Sequence, residues 1–451
     1  MNYPKYSRTD QFWLKEIPSN WENYKIKHLF SERGEKGYPN EPLLVASQNM
    51  GVVPKNVYGE RTVEAQKDLH LLKLVRIGDF VISLRSFQGG IEYAYYQGII
   101  SPAYTIMIPS EQLVPGYIKY LFKSQPFIGL LKTCVTGIRE GQNIDYQKLK
   151  NYKVPVPPRE EQDQIVRYLD WQVSKINKLI AAKKKEITSI NEKLLASTNE
   201  LVTRGIGYNR SYIKTNMDWA QYIPDDWVTS RIRNHFEILK RIAGSEGYDV
   251  FSVTQQGLKV RDTKLFEGQL ASDYSGYQFV YPGEFAMNHM DLLTGGIGIA
   301  DHLGVTSPDY RVFNLFDNEH CFAPYFLKVF QICYRRHAFY RFGRGAANVG
   351  RWRLPATAFK NFEIPLPPYA EQVEIVHAVE EEEEKAKTAI NVLERQICIL
   401  EELKKRLISD VVTGQIDVRG IEIPEYEYVD DVSDGSEDSE SAEEIEEQEN
   451  E

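Results

Sequence analysis

From residue 159 onward, apolar side chains recur every three and four positions: Val166, Leu169, Val173, Ile176, Ile180, Ile187, Ile190, Leu194 and Leu201. Counted in heptads they fill the a and d positions, with only Lys183 and Ser197 polar among them. A helix over 159–204 would rise roughly 69 Å at 1.5 Å per residue. A seam of this kind predicts coiled-coil pairing rather than a helix laid with one face on a core. Pro157-Pro158 ends the preceding strand-like run VPV and can occupy the first turn of the helix. The same pattern returns later. Pro367-Pro368 precedes Val376, Val379, Glu383, Ala386, Ile390, Leu393, Ile397, Leu400, Lys404, Leu407 and Val411, of which only Glu383 and Lys404 are charged. Ahead of each helix, short β-like runs such as DFVISL (79–84), YTIMI (104–108) and QFVY (278–281) alternate with Gly, Pro and Asn turns. PGYIKYLFKS (115–124) and PYFLKVFQICY (324–334) read as helices.

The chain is therefore written twice. IPSNWENYKIKHLF from Ile17 matches IPDDWVTSRIRNHF from Ile223 at an offset of 206. Gly89-Gly90-Ile91 matches Gly295-Gly296-Ile297 at the same offset, which reaches 208 at Tyr117 and Tyr325. It is 210 from Leu149 and Phe359 through VPVPPREEQDQIV and IPLPPYAEQVEIV to Val202-Thr203 and Val412-Thr413. Such collinearity predicts two tandem α+β domains separated by long helices that pair as an antiparallel coiled coil. The expected divisions are 1–157 (first domain), 158–205 (spacer helix), 206–367 (second domain), 368–415 (spacer helix) and 416–451 (an acidic, disordered tail). The two charged seam positions suggest a register in which Lys183 faces Glu383, Val166 faces Leu400 and Ile176 faces Ile390.

Charge changes the picture once the tail is set apart. The net charge is −10, but residues 421–451 hold 15 Asp and Glu and no Lys or Arg. Residues 1–420 thus carry a net +5 once those 15 are set against the overall −10. The tail is too poor in apolar residues to build a core; a sharper alternative is that it competes with DNA for the basic body. No run of about 18 apolar residues is present and the N-terminal stretch lacks an apolar signal core, so a cytoplasmic protein is expected. Cys134, Cys321, Cys333 and Cys398 follow no zinc-ligand spacing and read as reduced thiols.

Catalytic signatures are missing. LPPY (366–369) puts Leu366 where an adenine methyltransferase needs Asp, Asn or Ser to bond the target amino group. GGIGIAD (295–301) opens no clear cofactor-binding helix, and its recurrence as Gly89-Gly90-Ile91 marks a structural turn. There is no GxxxxGK[ST] loop, and the eight histidines form no HxxxH or HExxH pair. Trp21 and Trp227, both following Ile-Pro, are expected in the core rather than stacked on bases.

Taken together, the doubled proline-helix motif at Val154–Val166 and Ile364–Val376 resembles the specificity subunit of type I restriction-modification systems. The helix ends LVTRGI (201–206) and VVTGQIDVRG (411–420), together with GDFVISLRS (78–86) and ISPAY (100–104), are similar too, so the likeness spans about residues 11–420. The resemblance implies two target recognition domains, each reading half of a split double-stranded DNA site, spaced by the coiled coil. It implies docking of methyltransferase subunits, two of them expected, and of restriction subunits. It implies no catalytic, cofactor or metal site in this chain; S-adenosylmethionine, ATP and Mg would belong to the partners. A self-contained methyltransferase or nuclease, or a coiled-coil scaffold that binds no DNA, are the competing readings.

DNA recognition needs cations for phosphates and forked donors for base edges. The first copy offers Arg85, Ser86 and Gln88, then Arg139, Gln142 and Asn143 within TGIREGQN. The second offers Asn288 and His289, and RFGRGAANVGRWR with Arg341, Arg344, Asn348, Arg351 and Arg353. The copies differ most in these loops, so an asymmetric bipartite site is expected rather than a palindrome.

Overall fold

The computed structural model describes residues 2–58, 68–84, 86–136, 143–207, 210–261, 273–345 and 352–429. The chain divides into two compact units, Met1–Lys185 with Leu393–Glu451, and Glu186–Val392. The first is organised on a four-stranded antiparallel sheet of β1 (Phe30–Glu32), β2 (Phe80–Ile82), β3 (Glu92–Tyr93) and β4 (Thr105–Pro109), in the order β1-β4-β2-β3. The second repeats it with β5 (Phe236–Leu239), β6 (Phe285–Met287), β7 (Ile297–Ile299) and β8 (Arg311–Leu315), in the order β5-β8-β6-β7. Even the register is copied: Phe30 pairs with Pro109 as Phe236 pairs with Leu315. Met107 pairs with Phe80 as Phe313 pairs with Phe285.

Each sheet is buried on both faces, and strand periodicity divides its side chains between two cores. Phe80, Ile82 and Met107 join the large cluster with Tyr117, Leu121 and Phe122 of the helix Pro115–Lys123. Val81 and Ile106 point the other way, into a smaller cluster with Leu44, Val52, Val75 and Ile100. In the second unit Phe285, Met287 and Phe313 pack with Phe326 and Phe330 of the helix Ala323–Arg335, while Ala286 and Val312 join Phe251, Val253 and Val280.

Two long helices follow, α1 (Arg159–Arg204) and α2 (Tyr369–Val412), of 46 and 44 residues. Each starts where a strand pairs back to the beginning of its domain: Val156 opposite Glu22, and Leu366 opposite Val228. In the first unit α1 and α2 run antiparallel, since Lys183 bonds Gln396 while Lys404 bonds Asn177 at 3.3 Å. In the second unit Leu195, Leu201 and Val202 of α1 share a cluster with Ile375, Val376 and Val379 of α2. The seam itself follows the heptads: Leu169, Val173, Ile176, Ile180, Val376, Val379, Leu393 and Val411 are buried. Ile187, Ile190, Ile390, Ile397 and Leu400 are half-buried.

The register expected from the charged seam positions is wrong. Lys183 pairs with Gln396, 13 positions along α2 from residue 383, and Glu383 is taken by Lys328 of its own domain at 2.7 Å. A flanking domain supplied the counter-ion that the seam pattern alone assigned to the partner helix. Val166 is likewise turned toward its domain, where a Cβ on Gly116 would come within 2.9 Å of it. The tail also departs from expectation. Residues 416–429 are ordered, with Val418 buried and Ile416, Ile421 and Ile423 packed on the first core. IEIPEYEYV then lies along α1, where Ser174 Oγ donates to Glu427 O at 3.0 Å and Asn177 Nδ2 to Val429 O at 3.1 Å. Its apolar residues have a surface to cover; residues 430–451 lie outside the described residues.

The repeated Glu-Gln of the proline motif is a joint. Glu161 accepts the Trp21 indole N–H and the Asn20 amide at 2.8 Å each, together with the Tyr3 hydroxyl. Glu371 accepts the Trp227 indole at 2.8 Å and is paired by Arg210. Gln162 accepts from Val114 N at 2.7 Å and donates to Gln112 O and Pro157 O. Gln372 does the same with Phe322 N, His320 O and Pro367 O. Trp21 and Trp227 are buried, as expected, and LPPY supplies Pro367 O to Gln372 of this joint. The far helix ends are held by two repeated tyrosines: Tyr117 donates to Val412 O and Tyr325 to Val202 O.

Candidate nucleic-acid interface

In each copy the sheet delivers two polar tips to one place. In the first, the tip of the hairpin Leu44–Ser47/Gly51–Pro54 meets the turn after β2, with Gln48 Nε2 3.4 Å from Gln88 Oε1. In the second, the tip of Phe251–Thr254/Gly257–Val260 meets the turn after β6, and Gln255 Nε2 donates to Thr294 O at 3.3 Å. The glycine pairs permit this approach. A Cβ on Gly296 would lie 2.0 Å from Thr254 O, and one on Gly89 2.5 Å from Gln48 Oε1.

The second copy gathers most of its expected residues. Leu354 N donates to His289 O at 2.9 Å and Leu292 N to Trp352 O at 3.3 Å, so the turn after β6 and the Arg-rich segment lie edge to edge. Arg344 and Arg353 bridge one another through backbone bonds of 2.8 and 3.0 Å, leaving both side chains exposed. Arg341 is exposed too, lying over Phe342 and paired with Asp218. Asn288 uses Oδ1 to accept from Met290 N, which shapes the turn. His289 is a neutral group here: burial, then Arg311 and Arg353, lower its pKa to about 4.

Arg311 was not anticipated. It opens β8 almost wholly buried, donates Nη2 to Leu354 O at 2.8 Å, and lies over the Phe359 ring. Burial lowers its pKa to about 10, so it stays charged at neutral pH, and among the described residues no carboxylate pairs with it. It holds the Arg-rich segment from beneath while adding positive potential. The signal in the sequence was an Arg leading the mostly apolar strand RVFNL, where the first copy has Thr105. Gln48 and Gln255 were missed too, because hairpin tips read as ordinary turns.

The first copy keeps fewer of its candidates. Ser86 is buried and its hydroxyl accepts from Ser83 N at 2.9 Å, which makes it a turn residue rather than a ligand contact. Gln88 lies beside Gln48, and Asn143 is exposed on a two-residue strand paired with Thr136. Arg85, Arg139, Gln142, Asn348 and Arg351 lie outside the described residues. Among the described residues no helix is long and apolar enough to cross a membrane.

Comparison with known proteins matches residues 18–189 to the type I restriction modification DNA specificity domain. A protein of Methanocaldococcus jannaschii described as the type I restriction enzyme MjaX specificity subunit is 23% identical over 439 residues, covering 90% of this chain and 96% of its own. The type I restriction enzyme MjaVIII specificity subunit of the same organism is 23% identical over 233 residues, 49% of this chain and 50% of that one. Among solved structures, a chain from a type I restriction-modification complex superposes with a TM-score of 0.61 at 13% identity, covering 89% of this chain and 99% of that one.

Proposed function

We propose that this chain, which belongs to the specificity subunits of type I restriction-modification systems, reads a split and asymmetric DNA site with its two domains, one half-site each. It is a recognition subunit and not an enzyme; the chemistry belongs to the subunits it recruits. The observation that carries the asymmetry is internal. The two sheets agree strand for strand and register for register, yet the polar edges they present differ. Where the second domain gathers Asn288, His289, Arg344 and Arg353 over Arg311, the first offers Gln48 beside Gln88. Like frames with unlike edges suit two different half-sites, whereas identical readers about a two-fold axis would suit a palindrome. The exposed arginines fit phosphates or guanine O6 and N7.

In this reading the helices separate the readers, and methyltransferase subunits, two per chain, dock beside them together with restriction subunits. S-adenosylmethionine, ATP and Mg serve those partners. The test is adenine methylation mapped across a genome in cells carrying a cognate methyltransferase subunit, with and without this chain. The expected result is a split, non-palindromic motif methylated only when the chain is present. Methylation unchanged by its presence would overturn the reading.

A further inference from the structure

Beneath the start of α2, the second domain carries a side-chain cluster with no role in the recognition just described. His235 Nδ1 lies 2.8 Å from Asp317 Oδ2, and Cys321 Sγ lies 4.0 Å from the same oxygen. These three donor atoms all fall within 4.8 Å of one another. His320 Nδ1 lies 2.9 Å from the other oxygen, Asp317 Oδ1. His235 and Cys321 are buried, whereas His320 faces solvent.

The tandem repeat provides an internal control. His235 occupies the place of Leu29: Phe316 N donates to His235 O as Ser110 N donates to Leu29 O. Cys321 occupies the place of Leu113, each standing one residue before the backbone N–H that meets the joint glutamine. Both leucines are buried in the first core. Between Tyr310 and Tyr325 the second copy is two residues longer than the first between Tyr104 and Tyr117, and this longer stretch carries Asp317. One copy thus fills the position with two leucines. The other replaces both with metal-ligating types and sets Asp317 where the first copy has Glu111. Packing alone does not favour that exchange, because burying His and Cys gains less than burying leucine even with the imidazole satisfied, as it is here by Asp317 and Ser230.

We propose that His235, Asp317, Cys321 and His320 form a structural site for a divalent transition metal of the zinc type. Mixed nitrogen, sulfur and oxygen donors suit such an ion, and four protein ligands make a closed, non-catalytic site. Bonds of roughly 2.0–2.3 Å imply donor separations near 3.5 Å; His235, Asp317 and Cys321 already lie within 4.8 Å of one another, and the exposed His320 ring would turn inward to complete the set. Ser230 Oγ, 2.7 Å from His235 Nε2, would accept the remaining imidazole N–H and fix the ring. The ion would pin the turn 317–321 beside the Gln372 joint, since His320 O and Phe322 N are the atoms that Gln372 grips. The donors escape sequence patterns because His235 stands 82 residues before Asp317.

The test uses the full chain carrying Cys398→Ser, which removes the exposed thiol. Metal is stripped with a chelator and cobalt(II) is titrated in. Expected are one equivalent bound per chain, tetrahedral d–d bands and a sulfur-to-cobalt charge-transfer band. Cys321→Ser should abolish the charge-transfer band, and Ser230→Ala should weaken binding by about 10–100-fold. The pair His235→Leu and Cys321→Leu, which installs the first copy's residues, should abolish binding while circular dichroism stays native. Absence of a charge-transfer band, or one that survives Cys321→Ser, would refute the site. If the double leucine variant fails to fold, the Cys321→Ser arm decides.

Discussion

At the scale of single residues, the joint and the buried histidine make the sharpest demands. Removing the Glu161 carboxylate by Glu161→Ala orphans the Trp21 indole and the Tyr3 hydroxyl, both buried. The expected loss is about 2–4 kcal/mol, read as a lowered denaturation midpoint, with Glu371→Ala giving a comparable loss in the second domain. His289 sets a pH limit. Its proton affinity is ordinary in the unfolded chain, near 6.5, and lowered to about 4 when folded. The unfolded state therefore binds the extra proton first, so stability is full above about 6.5 and falls as pH drops toward 4. Melting temperature measured from pH 7.5 to 5 should decline, and His289→Asn should flatten that slope. A single sequence could show that Glu-Gln and Trp recur, which already marked the tryptophans as core. It could not show that they bond each other, because 140 residues separate Trp21 from Glu161.

Among the secondary-structure elements, the long helices were legible and their alignment was not. Heptad spacing fixes which face is apolar, and α1 and α2 start where the prolines allow. Register depends on which polar seam residues find partners outside the seam, and Glu383 finds Lys328. Cysteines placed at 183 and 396 should crosslink readily under mild oxidation, while a pair at 183 and 383 should not; the opposite yields would restore the charged pairing. Lengthening both helices by one turn should lengthen the preferred gap between half-sites, as mapped by methylation. An unchanged gap would mean that the helices do not set the spacing. Short strands were legible too, since Phe80–Ile82 falls inside its expected run and Thr105–Pro109 overruns its own by one residue. The polar edges were legible only in part. Arginine-rich loops announce themselves, whereas Arg311 and the hairpin-tip glutamines matter through neighbours far away in sequence.

For the whole molecule, duplication makes the two readers separately testable. Arg344→Ala with Arg353→Ala is expected to weaken recognition at one half-site only. A lost base contact costs on the order of 1–3 kcal/mol of discrimination there, whereas a lost phosphate contact lowers affinity for all sequences and reduces the salt slope by about one. Binding to duplexes with either half-site scrambled, at two salt concentrations, distinguishes these outcomes. The joints carry a last consequence. Every group that Gln162 and Gln372 grip belongs to the main chain: Val114 N, Gln112 O and Pro157 O in one copy, Phe322 N, His320 O and Pro367 O in the other. The side chains at those positions have already changed, from Val to Phe and from Gln to His, without loosening the grip. A coupling that feels only backbone places little constraint on what it couples. Mutation and recombination can therefore rewrite a reader's vocabulary while its mount stays the same, which makes each domain an interchangeable part.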